Sequence, residues 1–123
     1  MPSRERVMAL IAMVEQGKYV EAIGEFYTEN ATMQENGEPP RGGRDRLMES
    51  ERKVLAAHKE ARTLPGSTYL LEVDRVVIHW NFEFVRADGK RFRMEELAQQ
   101  RWEGERIAEE RFFYDPEQRR RLS

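Results

Sequence analysis

The stretch VVIHWNFEFV, residues 76–85, constrains this chain more than any other. Val76, Ile78, Trp80, Phe82 and Phe84 fall at every second position, and His79, Asn81 and Glu83 alternate with them. A period of two is that of a β-strand with one apolar face. Asp74–Arg75, Asp88–Gly89 and Glu103–Gly104 punctuate the region, and aspartate–glycine between two alternating runs is a hairpin signal. Residues 67–114 are therefore predicted to form four successive strands, at about 67–73, 76–86, 91–102 and 106–114. A meander with one oily face must be covered on that face by other elements.

The N-terminal half supplies the cover. Val7, Leu10, Ile11 and Val14 follow the i, i+3, i+4, i+7 pattern of an amphipathic helix, with Ser3 as N-cap and Gly17 as terminator. Tyr19, Ala22, Ile23, Phe26 and Tyr27 repeat the pattern in a second helix that ends at Asn30. Ala31–Glu35 reads as a short strand, and Pro39, Pro40, Gly42 and Gly43 forbid regular structure after it. A third helix is predicted from near Gly43 to about Ala57, with a thin apolar face of Leu47, Met48, Val54 and Leu55. The order is helix, helix, strand, helix, meander: an α+β domain over residues 1–116, followed by a charged tail at 117–123 whose arginines are expected to be solvated.

Charge and composition exclude several functions. Charged residues make up 36% of the 123, but 21 Lys+Arg nearly cancel 23 Asp+Glu, so no global field draws nucleic acid or an anionic membrane. Cysteine is absent, which removes disulfides, thiolate metal sites and a cysteine nucleophile and fits a reducing, cytoplasmic setting. The apolar run Val7–Val14 is too short to span a bilayer. His58 and His79 share no HxH or HExxH spacing, so no metal site is predicted.

Strand parity decides which side chains meet. If Ala87–Asp88–Gly89 and Glu103–Gly104–Glu105 are both three-residue loops, then Trp80, Phe82, Phe84, Phe92, Met94, Glu96, Ala98, Gln100, Trp102, Ala108, Glu110, Phe112 and Tyr114 face the same way. Glu96 and Glu110 are then carboxylates among aromatics, and desolvation raises their pKa into the range useful for proton transfer. A loop of another length turns Glu110 to the outer face, paired with Arg101 or its neighbours.

The stretches EAIGEFYTENATMQENGEPPRGGRDRL, VDRVVIHWNFEFVRADGKRF and RWEGERIAEERFFYDP, in this order, resemble the nuclear transport factor 2-like superfamily, in its SnoaL-like and ketosteroid-isomerase-like branch. The resemblance implies three helices packed on a curved, mixed but mostly antiparallel sheet that forms a cone-shaped, cystatin-like cavity. It implies a wall for a small hydrophobic, cyclic ligand, here Phe26, Tyr27, Met33, Trp80, Phe82, Met94, Phe112 and Tyr114. In the ketosteroid-isomerase-like pattern an acid closes the first strand before a Pro/Gly loop and moves a proton between carbons; Glu35 stands at that place. The oxyanion-hole positions of that pattern fall near Leu10 and Ala98, neither of which can donate a hydrogen bond. The loss of each such donor costs roughly 3 kcal/mol of transition-state stabilisation, which argues against the steroid route.

Three functions follow from the same hollow fold: a cofactor-free acid/base isomerase, cyclase or hydrolase using Glu35, Glu96 and Glu110; a ligand carrier; and a dimeric interaction module. The odd-numbered outer face, with Val77, His79, Val85, Leu97 and Phe113, is apolar enough to predict a homodimer in each case.

Overall fold

A computed structural model describes all residues, 1–123. Three helices, α1 (Arg4–Glu15), α2 (Tyr19–Phe26) and α3 (Arg44–Ala56), lie against one face of a seven-stranded sheet. The strands are β1 (Tyr27–Glu35), β2 (Arg41–Gly42), β3 (His58–Thr63), β4 (Thr68–Glu72), β5 (Arg75–Arg86), β6 (Arg91–Glu103) and β7 (Arg106–Phe113). Their order is β2-β1-β7-β6-β5-β3, and β4 shares the outer edge of β5 with β3. Only β1 and β7 run parallel; the other pairs are antiparallel, and the whole curves into a half-barrel. No helix is long and apolar enough to cross a membrane.

The helical pattern yields the elements it promises. Ser3 caps α1 by accepting from the Arg6 amide at 3.1 Å, and Val7, Leu10 and Ile11 are buried. Gly17, at φ +80°, closes α1 with its amide on the Val14 carbonyl, and α2 begins two residues later. Gly24 lets α3 approach closely: a Cβ there would stand 3.3 Å from Met48 Cε.

Three expectations are corrected. The second helix stops at Phe26 rather than Asn30, because Tyr27 turns extended and starts β1 alongside Ile107 of β7; parallel pairing overrides the helical period. His58–Thr63 is a strand although His58, Lys59, Glu60 and Arg62 carry little apolar signal. It is an edge strand, where charged side chains are common. Arg41–Gly42, inside the loop expected to be irregular, forms a two-residue strand on β1.

The strand faces follow from two different turns. At Asp88–Gly89, Val85 pairs with Arg91 and the Arg86 amide bonds the Lys90 carbonyl, leaving the expected three-residue loop. At Gly104–Glu105 the loop has two residues, since Glu103 pairs directly with Arg106. A bulge at Ala108 then restores parity: Trp102 pairs with Ile107 and Arg101 with Glu109, so Ile107 and Ala108 are both buried and Glu110 faces inward. The inner face is as predicted, through a bulge instead of a longer loop.

The tail continues the fold. A 3-10 turn, Pro116–Arg120, starts at Asp115, and the Gln118 side chain bonds both the amide (2.8 Å) and the carbonyl (3.2 Å) of Glu95. Ser123 exchanges backbone bonds with Arg91. These contacts occupy the part of the β6 edge that lies beyond the reach of β7. Arg119, Arg120 and Arg121 are exposed, as expected.

Candidate active site

Between the helices and the inner face of the sheet lies a cavity of ≈ 210 Å³. Leu10 and Val14 of α1, Tyr19, Ala22 and Ile23 of α2, and Val54 and Leu55 of α3 form one side. Trp80, Phe82 and Phe84 of β5 and Phe112 of β7 form the other. The aromatic rings follow one another along β5, Trp80 to Phe82 at 5.9 Å and Phe82 to Phe84 at 6.3 Å between centroids. Tyr19 presents an edge to Phe82 from across the cavity at 6.4 Å. Into this apolar space project the carboxylates of Glu35, Glu51, Glu96 and Glu110.

Glu96 lies on β6 directly across from Trp80. Burial is the main reason its pKa is pushed up to about 8, the Glu35, Glu110 and Glu51 carboxylates add to the rise, and Arg119 alone opposes it. No salt bridge or hydrogen bond from a neighbour holds it ionised. At neutral pH such a carboxyl holds its proton and can give it away.

Glu110 is the most constrained acid. Tyr27 donates its hydroxyl hydrogen to Oε1, and Gln100 Nε2 donates to Oε2 at 2.6 Å. Trp102 Nε1 donates to Gln100 Oε1 at 3.0 Å. Indole nitrogen can only donate, so it fixes which end of the Gln100 amide faces Glu110. Burial raises the Glu110 pKa, the bonds from Tyr27 and Gln100 pull it back, and the outcome is about 7. The Tyr27 phenol is driven well above its ordinary value by burial and by the carboxylate beside it.

Glu35 ends β1 at the cavity mouth. Arg41 Nη1 is 3.2 Å from its Oε2, and the Tyr114 hydroxyl donates to Oε1 at 3.3 Å. Burial, and next the charge of Glu35, push the Tyr114 phenol up to about 12. Arg119 Nη2 donates to the same hydroxyl at 3.3 Å.

All three predicted acids, Glu35, Glu96 and Glu110, therefore reach one cavity, and Tyr27, Met33, Trp80, Phe82 and Phe112 line it as expected. Three expected wall residues do not. Phe26 is packed in the core under the Arg6 guanidinium, 4.0 Å from its ring. Met94 shares the inner face but is covered, at 2% exposure. Tyr114 stands outside the wall and acts on the rim through Glu35. Glu51 was missed by the sequence reading; it is i+4 from Leu47 and i−4 from Leu55, a spacing that puts it on the inward stripe of α3. Its pKa is raised by burial, with Arg41 opposing. Leu10 and Ala98 are both buried, so the two positions carried over from the ketosteroid-isomerase pattern are apolar in the folded protein too. His58 Nδ1 is 2.8 Å from the Val54 carbonyl and His79 Nε2 is 2.7 Å from Glu95 on the outer face, so neither enters the cavity.

This fold belongs to a known class. The profile of the family described as SnoaL-like polyketide cyclase matches residues 5–118, and the chain belongs to that family, within the nuclear transport factor 2-like superfamily. Among solved structures, a putative polyketide cyclase from Pseudomonas putida superposes with a TM-score of 0.78 at 15% identity, over 96% of this chain and 95% of that one. A putative SnoaL-like polyketide cyclase from Mesorhizobium loti gives 0.75 at 19% identity, over 93% of this chain and 100% of that one. TerC, co-crystallised with polyporic acid, gives 0.74 at 15% identity, over 90% and 89%. A sequence search of curated proteins finds no match.

Proposed function

We propose that the protein binds a small hydrophobic, cyclic metabolite in this cavity and acts on it by cofactor-free acid/base chemistry, as an isomerase, cyclase or hydrolase. One observation carries the reading: Glu96 and Glu110 project from adjacent strands into the same aromatic hollow, both shifted toward neutral pH by burial. Glu96 is the proton donor, because no neighbour holds its carboxylate ionised. Glu110, oriented by Tyr27 and Gln100, is the group that receives or relays a proton. Glu35, held by Arg41 and Tyr114, serves the mouth. TerC, a neighbour in fold, was co-crystallised with polyporic acid, which supports a small-molecule ligand for a cavity of this kind.

The test needs no known substrate. A panel of cyclic enones and 1,3-diketones is incubated with the protein in D2O, and carbon-bound deuterium is read by mass spectrometry. The wild type is expected to accelerate exchange on the ligands it binds, and Glu96→Gln to abolish it. Ligands that bind without exchange would make the protein a carrier instead.

We further infer a homodimer through the outer sheet face. Leu97 and Phe113, 45% and 38% exposed, are cross-strand neighbours there, and Val77 is half-buried beside the His79–Glu95 pair. Val85 does not contribute, being covered at 6% exposure. Light scattering should give twice the chain mass, falling to the monomer in Leu97→Glu.

A further inference from the structure

The cavity combines two features. Its sheet wall is aromatic, and its charged side chains are mostly acids. Of the six charged side chains that line it, four are glutamates and two are arginines. Both arginines sit at the mouth and are engaged there, Arg41 by Glu35 at 3.2 Å and Arg119 by the Tyr114 hydroxyl at 3.3 Å and its ring at 5.7 Å. Deeper in, Glu51, Glu96 and Glu110 have no cation within ion-pair distance; Glu110 receives only the neutral donors Tyr27 and Gln100.

We propose that the natural ligand is an organic cation, a one- or two-ring molecule bearing a protonated or quaternary amine, with its ammonium between Glu96 and the Trp80 face and its hydrocarbon body along Phe82 and Phe84. The proposal rests on the small-molecule reading above and adds the sign of the ligand's charge; with such a cation bound, Glu96 is ionised and its part is to hold the ligand, not to donate a proton. The geometry is the argument. Trp80 and Glu96 are cross-strand partners on the inner face, so their side chains start about 5 Å apart. An indole face and a carboxylate at that spacing bracket an ammonium group: one attracts it through the ring quadrupole, the other through charge, in a site partly shielded from water. A bare metal ion does not fit the arrangement, since no three acidic or imidazole side chains converge as ligands. The volume, below the ~300 Å³ at which typical ligand pockets begin, limits the body to one or two rings.

Burial, and after it the neighbouring carboxylates, keep the proton on Glu96. Clustered carboxylates in a cavity partly shielded from water are relieved either by protons or by a bound cation, so the two compete. Binding of a cation with no proton of its own must therefore release protons from the protein and must tighten as pH rises toward 8 and beyond.

Calorimetry with two isosteric probes that have no titratable group tests this: 3-(hydroxymethyl)phenyltrimethylammonium, and 3-tert-butylbenzyl alcohol, in which carbon replaces the charged nitrogen. Each is titrated into the wild type, Glu96→Gln and Glu51→Gln at pH 6.5 and 8.5, in buffers of different ionisation enthalpy. The expected result is at least tenfold preference for the cation at pH 8.5, a smaller preference at pH 6.5, and a buffer-dependent heat that reports proton release. Glu96→Gln should lose the preference and keep the neutral alcohol, and Glu51→Gln should reduce the preference in part. If the neutral alcohol binds as well as the cation, or better, the charge assignment is overturned and the hydrophobic-ligand reading stands. If neither binds, both are overturned. The pH and buffer dependence of the wild type decides the matter even if Glu96→Gln fails to fold.

Discussion

Tyr27 and Glu110 share a hydrogen bond between parallel neighbours β1 and β7, with both side chains buried at 5% and 4% exposure. The bond ties the start of the first strand to the centre of the last, at the floor of the cavity. It belongs to a chain that runs from Trp102 through Gln100 and Glu110 to Tyr27, in which each donor has one acceptor.

Removing the acceptor strands two buried donors. Glu110→Ala leaves the Tyr27 hydroxyl and Gln100 Nε2 without partners, and a buried unpaired polar group costs about 1–3 kcal/mol. The expected loss is roughly 2–5 kcal/mol in urea unfolding. Glu110→Gln should lose less, about 1–2 kcal/mol, because its single amide oxygen can serve only one of the two donors while Trp102 prevents Gln100 from turning its own amide. Equal stability of all three proteins would show that the chain of bonds does not hold the floor.

Glu96 predicts a slope in stability against pH. Its folded-state pKa, about 8, lies above the ordinary 4.5. Below about pH 4.5 folded and unfolded chains both hold the proton, so the group costs nothing. Between about 5 and 8 the unfolded chain has released the proton and the folded chain has not, so stability falls as pH rises. Near pH 8 the fall levels off, with an upper limit of roughly 5 kcal/mol from this one residue. Glu96→Gln, which cannot ionise, should match the wild type near pH 4.5 and exceed it increasingly toward pH 8. Denaturant melts of the two proteins across that range measure the divergence.

The parts legible in the sequence were those set by period. Alternation in β5 and β6 placed Trp80, Phe82 and Glu96 on the inner face, and the i+3/i+4 pattern placed α1 and its Ser3 cap. What escaped was decided by contacts distant in sequence. Nothing local in His58–Thr63 signals a strand; the free edge of β5 makes it one. The bulge at Ala108 is likewise invisible locally, yet it sends Glu110 inward after a loop one residue shorter than expected. Glu51 was legible in principle, since its helical spacing from Leu47 and Leu55 marks the buried stripe. A charged letter there reads as surface until a cavity is known to lie beneath it. Phe26 and Met94 failed as wall residues for the opposite reason: pattern marks a face as inward but cannot tell filled core from the rim of a hollow.

Val73 offers a gain in stability. It sits in the two-residue turn between β4 and β5 at φ +57°, a left-handed conformation that costs a side-chain-bearing L-residue roughly 1–2 kcal/mol, and it is 63% exposed. Glycine is favoured at a first turn position of this kind. Val73→Gly should therefore raise stability by about 1 kcal/mol, reduced somewhat by the greater freedom of glycine in the unfolded chain. Thermal melts should show a higher midpoint; a lower one would mean that the valine side chain contributes packing that its exposure conceals.

The tail carries the last prediction. β7 pairs with β6 only from Leu97 to Glu103, which leaves the edge around Arg91 and Glu95 open to any strand that fits it. Gln118 covers Glu95 with its side-chain amide, and Ser123 covers Arg91 with its backbone. Ending the chain at Asp115 uncovers these four groups, which water then satisfies, so the direct cost is a modest one of about 1–3 kcal/mol. The larger effect is on behaviour: an open edge on a sheet that also displays Leu97 and Phe113 invites pairing with other chains. The shortened protein should lose hydrogen-exchange protection at the Arg91 and Glu95 amides and aggregate at lower concentration than the full chain. Gln118→Ala separates the two anchors, because it should unprotect Glu95 while leaving Arg91 protected. Loss of Arg119 with the tail also removes the one cation that lowers the Glu96 pKa, so in the shortened protein the pH at which Glu96 ionises should rise further. Following that carboxyl by carbon NMR in both chains would show the shift, and an unchanged titration would place Arg119 too far from the cavity to matter.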